Sequence, residues 1–172
     1  MFRVFKQVPR ILFGKGTINK IDKLIPDDKK ENILYIVDDS LNLPSILNNS
    51  NDRIINFPAC LGEPKTNQVD QICKKLTIDK TLPTAIVGIG GGSTMDMAKS
   101  ISIMLCNDGS SANYQGWDLV QNPGLYKIGV PTISGSGAEA SRTAVLMGAE
   151  TKSGINSDHS MFDAIILDSD LT

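Results

Sequence analysis

The sequence predicts an α/β domain in which a parallel sheet is covered by helices on both faces. Three observations carry that prediction. Short apolar runs rich in β-branched residues alternate with helix-patterned stretches along the 172 residues. The runs are continuously apolar rather than alternating, as in strands buried on both sides. Two of them lead directly into glycine-rich loops, Gly90-Gly91-Gly92-Ser93 and Pro131 to Glu139.

Taken in order, residues 2–13 read as one or two extended pieces before Phe13-Gly14-Lys15-Gly16-Thr17. Residues 17–25 read as a helix with Ile18, Ile21, Leu24 and Ile25 inward. Asp27-Asp28-Lys29-Lys30-Glu31 mixes signs and reads as a solvated turn. Ile33 to Val37 is a buried strand ending in Asp38-Asp39-Ser40, and Arg53 to Phe57 is a second, halted by Pro58. Residues 67–78 carry Val69, Ile72, Cys73 and Leu76 at the spacing of an amphipathic helix. Thr84 to Ile89 is a third strand, followed by the glycines and a helix over 93–106 whose buried side is Met97, Ile101, Met104 and Leu105. Lys127 to Val130 is a fourth strand, stopped by Pro131, and Ala164 to Leu167 a fifth. No repeat or low-complexity linker interrupts them, so residues 1–172 read as one domain.

Composition narrows the function classes. A formal net charge of −2, with Lys and Arg scattered, lacks the basic stripe that nucleic-acid binding requires. No apolar run approaches the length of a membrane span. The start, Met1-Phe2-Arg3-Val4-Phe5-Lys6, has charge within its apolar part and no small-residue cleavage site, unlike a signal peptide. Cys60, Cys73 and Cys106 are odd in number without metal or redox spacing, which reads as reduced thiols in a cytoplasmic protein.

The chemistry concentrates in the two loops. Three glycines after a buried strand let backbone N–H groups approach an anion closely, and the following helix adds its positive end. Gly90, Gly91, Gly92, Ser93 and Thr94 are therefore a candidate pyrophosphate cradle. A tight strand-to-helix turn capped by Ser93, with Asp96 completing a capping box, fits the same residues. Asp96 and Lys99, three apart, read as an intrahelical pair. In the second loop Thr132, Ser134 and Ser136 offer hydroxyls that suit a ribose or nicotinamide amide, although an ordinary surface loop fits too. Asp38 stands where an acidic side chain can accept from adenosine ribose hydroxyls and repel a 2′-phosphate, favouring NAD over NADP.

Together these residues resemble the iron-containing (group III) alcohol dehydrogenases, relatives of glycerol dehydrogenase and dehydroquinate synthase. The family's GGGSxxDxxK motif stands as Gly90 to Lys99. Its PTTxGTGSE motif stands as Pro131 to Glu139, with Ile133, Ser134, Ser136 and Ala138 as departures. Phe13-Gly14-Lys15-Gly16 and Leu167 to Thr172 match further landmarks. The resemblance implies a Rossmann-like parallel sheet of the dehydroquinate synthase-like N-terminal type, followed in complete enzymes by a helical metal-binding domain. It implies Asp38 on the adenosine side, Gly91 to Thr94 at the pyrophosphate, Thr132, Ser134 and Ser136 at the nicotinamide, and Lys152 near the cofactor. The divalent metal, iron or zinc, is expected only in the complete enzyme. Its ligands, an Asp, a His one helical turn later and two more His, would fall beyond Thr172, while the lone His159 has no ligand spacing.

A narrower likeness is to the 3-deoxy-D-manno-octulosonate 8-oxidase branch, carried by Tyr114 to Val120, Ser141-Arg142-Thr143 and Gly154 to Asp158. It implies a sugar-acid substrate lined by Tyr114, Trp117 and Arg142, with Arg142 on the carboxylate, and functional coupling to an aminotransferase. Aromatics packing a loop and a surface Arg fit those residues equally. A homodimer is compatible with the resemblance. The competing readings are a standalone, non-catalytic nucleotide-binding module or truncated product, and a lyase that uses NAD transiently.

Overall fold

The computed structural model describes residues 6–41 and 52–172. The strands are β1 (Ile11–Phe13), β2 (Ile33–Asp38), β3 (Arg53–Phe57), β4 (Ala85–Gly90) and β5 (Gly116–Trp117). They continue with β6 (Tyr126–Pro131), β7 (Thr143–Met147), β8 (Lys152–Asn156) and β9 (Ala164–Leu167). Two α-helices intervene, α1 (Thr66–Ile78) and α2 (Gly92–Met104). Six strands form one sheet in the order β1-β9-β6-β4-β2-β3, and every pairing in it is parallel. The α/β class and the five strand positions read from the sequence are borne out. Of the extended pieces expected over residues 2–13, residues 2–5 lie outside the described residues.

Both faces of the sheet are covered. Leu34, Ile36 and Ile86 pack against Val69, Cys73 and Leu76 of α1 and Met97, Ala98 and Ile101 of α2. On the other face Ile33, Tyr35, Val37, Val87, Ile89, Ile128 and Val130 meet Ile18, Ile21, Leu24 and Ile25. The four inward residues of that covering segment are as expected, but its backbone is not an α-helix. Thr17–Lys23 forms 3₁₀ turns, with a break at Lys20 (φ −112°). Ile18, Ile21 and Leu24 recur every third residue, which is the 3₁₀ period, so these turns align the apolar side chains better than 3.6 residues per turn would.

A second sheet, β5-β8-β7, has a parallel β5–β8 pair and an antiparallel β7–β8 hairpin. It packs over the outer side of α2, contributing Leu146 and Ile155 to the core. The helix is consequently buried on every side from Thr94 to Met104, not only along Met97, Ile101 and Met104. Gly88 permits its close seating on the large sheet, since a Cβ there would stand 2.8 Å from the Ala98 Cβ.

Chain direction fixes where a ligand can enter. From β2 the chain moves outward to β3, whereas from β4 it moves the opposite way to β6. The reversal lies between β2 and β4, and open parallel sheets bind ligands at such a switch point, at the carboxyl ends of the strands. Asp38 ends β2, Gly90 ends β4 and Pro131 ends β6. Among the described residues, no helix is long and apolar enough to cross a membrane.

Candidate nucleotide site

Three loops converge at the switch point. A Cβ on Gly90 would meet the Thr94 Oγ1 at 2.6 Å, the Thr94 Cβ at 2.8 Å and the Asp38 Cβ at 2.9 Å. Only glycine allows the end of β2 and the first turn of α2 to close on β4 in this way. The second loop is tied in by the Thr132 amide, which donates to the Gly90 carbonyl at 3.0 Å. Its Ser136 Cβ comes within 3.4 Å of the position a Cβ on Gly92 would take.

The cradle's donors are open. Gly91, not Ser93, is the N-cap of α2, and no side chain caps the helix. The capping box expected of Ser93 and Asp96 is therefore not formed: Ser93 is already the second helical residue, too late to cap. The first-turn N–H groups have no intrahelical acceptor and point outward with the positive end of the helix dipole. Thr94 supplies a second sign of a missing partner. Its hydroxyl is wholly buried and has no hydrogen-bond partner among the described residues. Buried hydroxyls are nearly always paired, so an orphan beside open amides fits an anionic ligand group.

Asp38 is buried at the cradle's edge, where its Oδ1 accepts from the Ser40 amide (3.0 Å) and hydroxyl (2.7 Å). That turn fixes the carboxylate at the end of β2. Thr132 is half-buried, and Ser134 and Ser136 are exposed on a loop bent by Gly135 (φ +96°) and Gly137 (φ +65°).

Lys152 lies in an ion pair with Glu63 at 2.6 Å. Both charges act on the Asp96 carboxyl. Glu63 was not evident from the sequence, because it arrives through a non-local contact: the Met147 amide donates to the Pro64 carbonyl at 2.8 Å. The intrahelical Asp96–Lys99 pair is also corrected. Lys99 turns away to carbonyls of the 138–143 stretch, and the backbone amide of Val145 pulls the Asp96 carboxyl down. Burial pushes the Asp96 carboxyl up to about 6, against the pull of Lys99. The α2 helix has no solvent-facing side on which such a pair could form, and its continuous small and apolar sequence was the available signal.

Tyr114, Trp117 and Arg142 lie on the small sheet and its approaches. The Tyr114 hydroxyl donates to the Asp108 carbonyl (2.7 Å), and Trp117 is 67% exposed. Arg142 is held between Asp118 and Asp158, the latter 3.2 Å from its Nε, so it clasps the ends of β5 and β8. A substrate carboxylate would compete with these aspartates for the guanidinium. Among the described residues no three His, Cys, Asp or Glu side chains gather as a metal site, so no step through a metal is derived.

Fold and candidate site define an α/β protein whose glycine-lined loops gather at the carboxyl ends of parallel strands. Residues 9–169 match the family model described as iron-containing alcohol dehydrogenase. The chain belongs to that family. It is 42% identical over 89 residues to sulfoacetaldehyde reductase of Bilophila wadsworthia (strain 3_1_6), covering 51% of this chain and 23% of that protein. Among solved structures, an alcohol dehydrogenase from Oenococcus oeni superposes with a TM-score of 0.85 at 23% identity, over 97% of this chain and 46% of that one. Sulfoacetaldehyde reductase from Bifidobacterium kashiwanohense, solved in complex with NAD+, gives 0.85 at 24% identity, over 100% and 47%. These two likenesses establish the fold, and the chain spans less than half the length of each relative.

Proposed function

We propose that this chain is the NAD-binding half of an alcohol dehydrogenase. The orphan Thr94 hydroxyl beside the uncapped first turn of α2 carries the reading. The amides of Gly91 to Thr94 bind the pyrophosphate, Asp38 accepts from the adenosine ribose, and Thr132, Ser134 and Ser136 orient the nicotinamide portion. Lys152 adds positive charge nearby, tempered by Glu63. Bound NAD supplies the hydride acceptor for oxidation of a primary alcohol. The divalent metal of the complete enzyme is held by residues outside this chain, which binds nucleotide without turning alcohol over.

NAD is preferred to NADP because the Asp38 carboxylate repels a 2′-phosphate. For the substrate we carry forward a sugar acid of the 3-deoxy-octulosonate type, whose aldehyde product an aminotransferase would consume. The support is the local sequence at Tyr114, Trp117 and Arg142, with the Arg142 guanidinium shared between a substrate carboxylate and its neighbours Asp118 and Asp158. A homodimer in the cytoplasm is the setting proposed for the complete enzyme.

The test is fluorescence titration of the 172-residue chain with NADH and NADPH. The expected result is at least about tenfold tighter binding of NADH, a ratio that narrows in Asp38→Ala. Unchanged selectivity in Asp38→Ala removes its assigned role, and binding of neither nucleotide removes the reading. Alcohol oxidation by the chain alone would refute the claim that it does not turn over.

A further inference from the structure

The α2 helix carries a cation that neither the cradle nor the large sheet uses. Lys99 is wholly buried, and its ammonium donates to the carbonyls of Ala138 (2.5 Å), Ser141 (3.0 Å) and Thr143 (2.9 Å) and to the Ser141 Oγ (3.1 Å). Three protons are shared among four oxygens, so the charge is fully solvated by protein. The Phe162 ring lies beneath it, 5.3 Å to the centroid. The charged groups around it are Asp96 on its own helix, Glu139 from the loop and Lys127 from β6.

All four oxygens belong to one stretch of chain, 138–143, which runs from the hydroxyl loop into β7. The loop's other end is fixed where the Thr132 amide meets the Gly90 carbonyl. Between these anchors Ile133 to Gly137 are exposed and belong to no helix or strand. A buried methionine or leucine would fill the same space without the desolvation cost of a charge. An ammonium does what they cannot: it reads carbonyl positions, and so dictates a backbone path independently of the side chains along it.

Resting on the nucleotide reading above, we propose that Lys99 is a positioning residue for the cofactor, gripping the downstream end of the 132–141 loop so that its hydroxyl-bearing stretch stays seated against the cradle, where Ile133 and Ser136 lie next to Gly91 and Gly92. The dinucleotide should then depend on Lys99 more than a ligand that stops at the pyrophosphate. ADP needs only Asp38 and the cradle, whereas NADH also needs the loop.

The experiment compares wild type and Lys99→Met for hydrogen exchange in residues 132–141 and for the Kd of NADH and of ADP. Exchange in that loop should accelerate by at least about tenfold, NADH binding should weaken by about tenfold or more, and ADP binding should stay within about twofold. A role confined to general stability would weaken both nucleotides by the same factor, which would overturn the proposal. Unchanged loop exchange, or unchanged NADH binding, would overturn it too. If Lys99→Met does not fold, Ser141→Ala removes one of the four oxygens and leaves the ammonium in place. It should show the same preference for weakening NADH on a smaller scale, and equal effects on both nucleotides would again overturn the proposal. A wild type that binds neither nucleotide overturns the reading of the site and this inference together. A wild type that binds both, matched by its variants, overturns the inference alone.

Discussion

Two alanine substitutions, two residues apart, separate a phosphate cradle from a mere turn. At Gly92 a new Cβ would have its nearest neighbour at 3.4 Å, the Ser136 Cβ, and the residue opens α2. Gly→Ala where the backbone already suits alanine stabilises a protein by about 0.4–1 kcal/mol through the unfolded state. For a chain of this size that is a rise in Tm of roughly 1–4 °C. The methyl would nevertheless fill the gap between α2's first turn and Ser136 and Ala138 of the second loop, the gap the proposed site gives to a phosphate. A hydrogen bond to a charged group contributes about 1.5–3 kcal/mol, so losing one weakens nucleotide binding roughly ten- to a hundredfold.

At Gly90 the same methyl meets the Thr94 Oγ1 and Cβ and the Asp38 Cβ, all under 3.0 Å, with φ at +155°. Two of those atoms are β-carbons, which cannot swing aside without moving backbone. Overpacking and the unfavourable φ together cost about 3 kcal/mol, lowering Tm by roughly 6–12 °C. Calorimetry and NADH titration on both variants form the assay. The expected pattern is loss of binding in both, with loss of stability only in Gly90→Ala. If Gly92→Ala binds NADH as wild type does, the glycines serve the turn alone and the cradle does not exist.

Two more predictions concern buried carboxylates. Asp168 is almost wholly buried and accepts from the amides of Gly16 (2.8 Å), Ile18 (2.9 Å) and Asp170 (3.0 Å), tying the end of β9 to the turn after β1. Burial alone would raise its pKa, but the amides of Ile18, Asp170, Gly16 and Thr17 outweigh that and leave it lowered. Its stabilisation is thus present above about pH 4 and is lost as pH falls through the lowered folded value. Asp168→Ala should cost about 2–3 kcal/mol at neutral pH in urea denaturation, and a change under about 0.5 kcal/mol would contradict the network. Asp96 has the opposite sign. Its folded pKa of about 6 exceeds the ordinary 3.8, so the folded state holds the proton longer and stability declines as pH rises between those values. The decline attributable to Asp96 is on the order of 3 kcal/mol. Asp96→Asn should lack it, and parallel pH profiles for the two proteins would refute the assignment.

What the sequence disclosed and what it concealed divide along one physical line. Strands β2, β4, β6 and β9 are continuous apolar runs because both their faces are covered, and that property is written in consecutive residues. The cradle is equally local: strand, glycines and helix follow one another, and only the position of the cap was misread, by two residues. The β7–β8 hairpin was not legible, because its strands are short and half-buried and take their place only by packing on α2. Lys99 was concealed for the same reason. Its residue type suggested a surface partner three positions away, while its true partners lie 39 to 44 residues onward in the chain. Glu63 and Lys152 are 89 residues apart and meet only because the hairpin brings Met147 to Pro64. The same division gives the site its logic. The part proposed to meet the pyrophosphate is encoded locally, in a contiguous strand, turn and helix, whereas the part assigned to the nicotinamide end would, on the proposal above, depend on a buried ammonium holding a distant loop. Substitutions in the 105–160 region that disturb the small sheet should therefore affect dinucleotide binding before they affect binding of ADP.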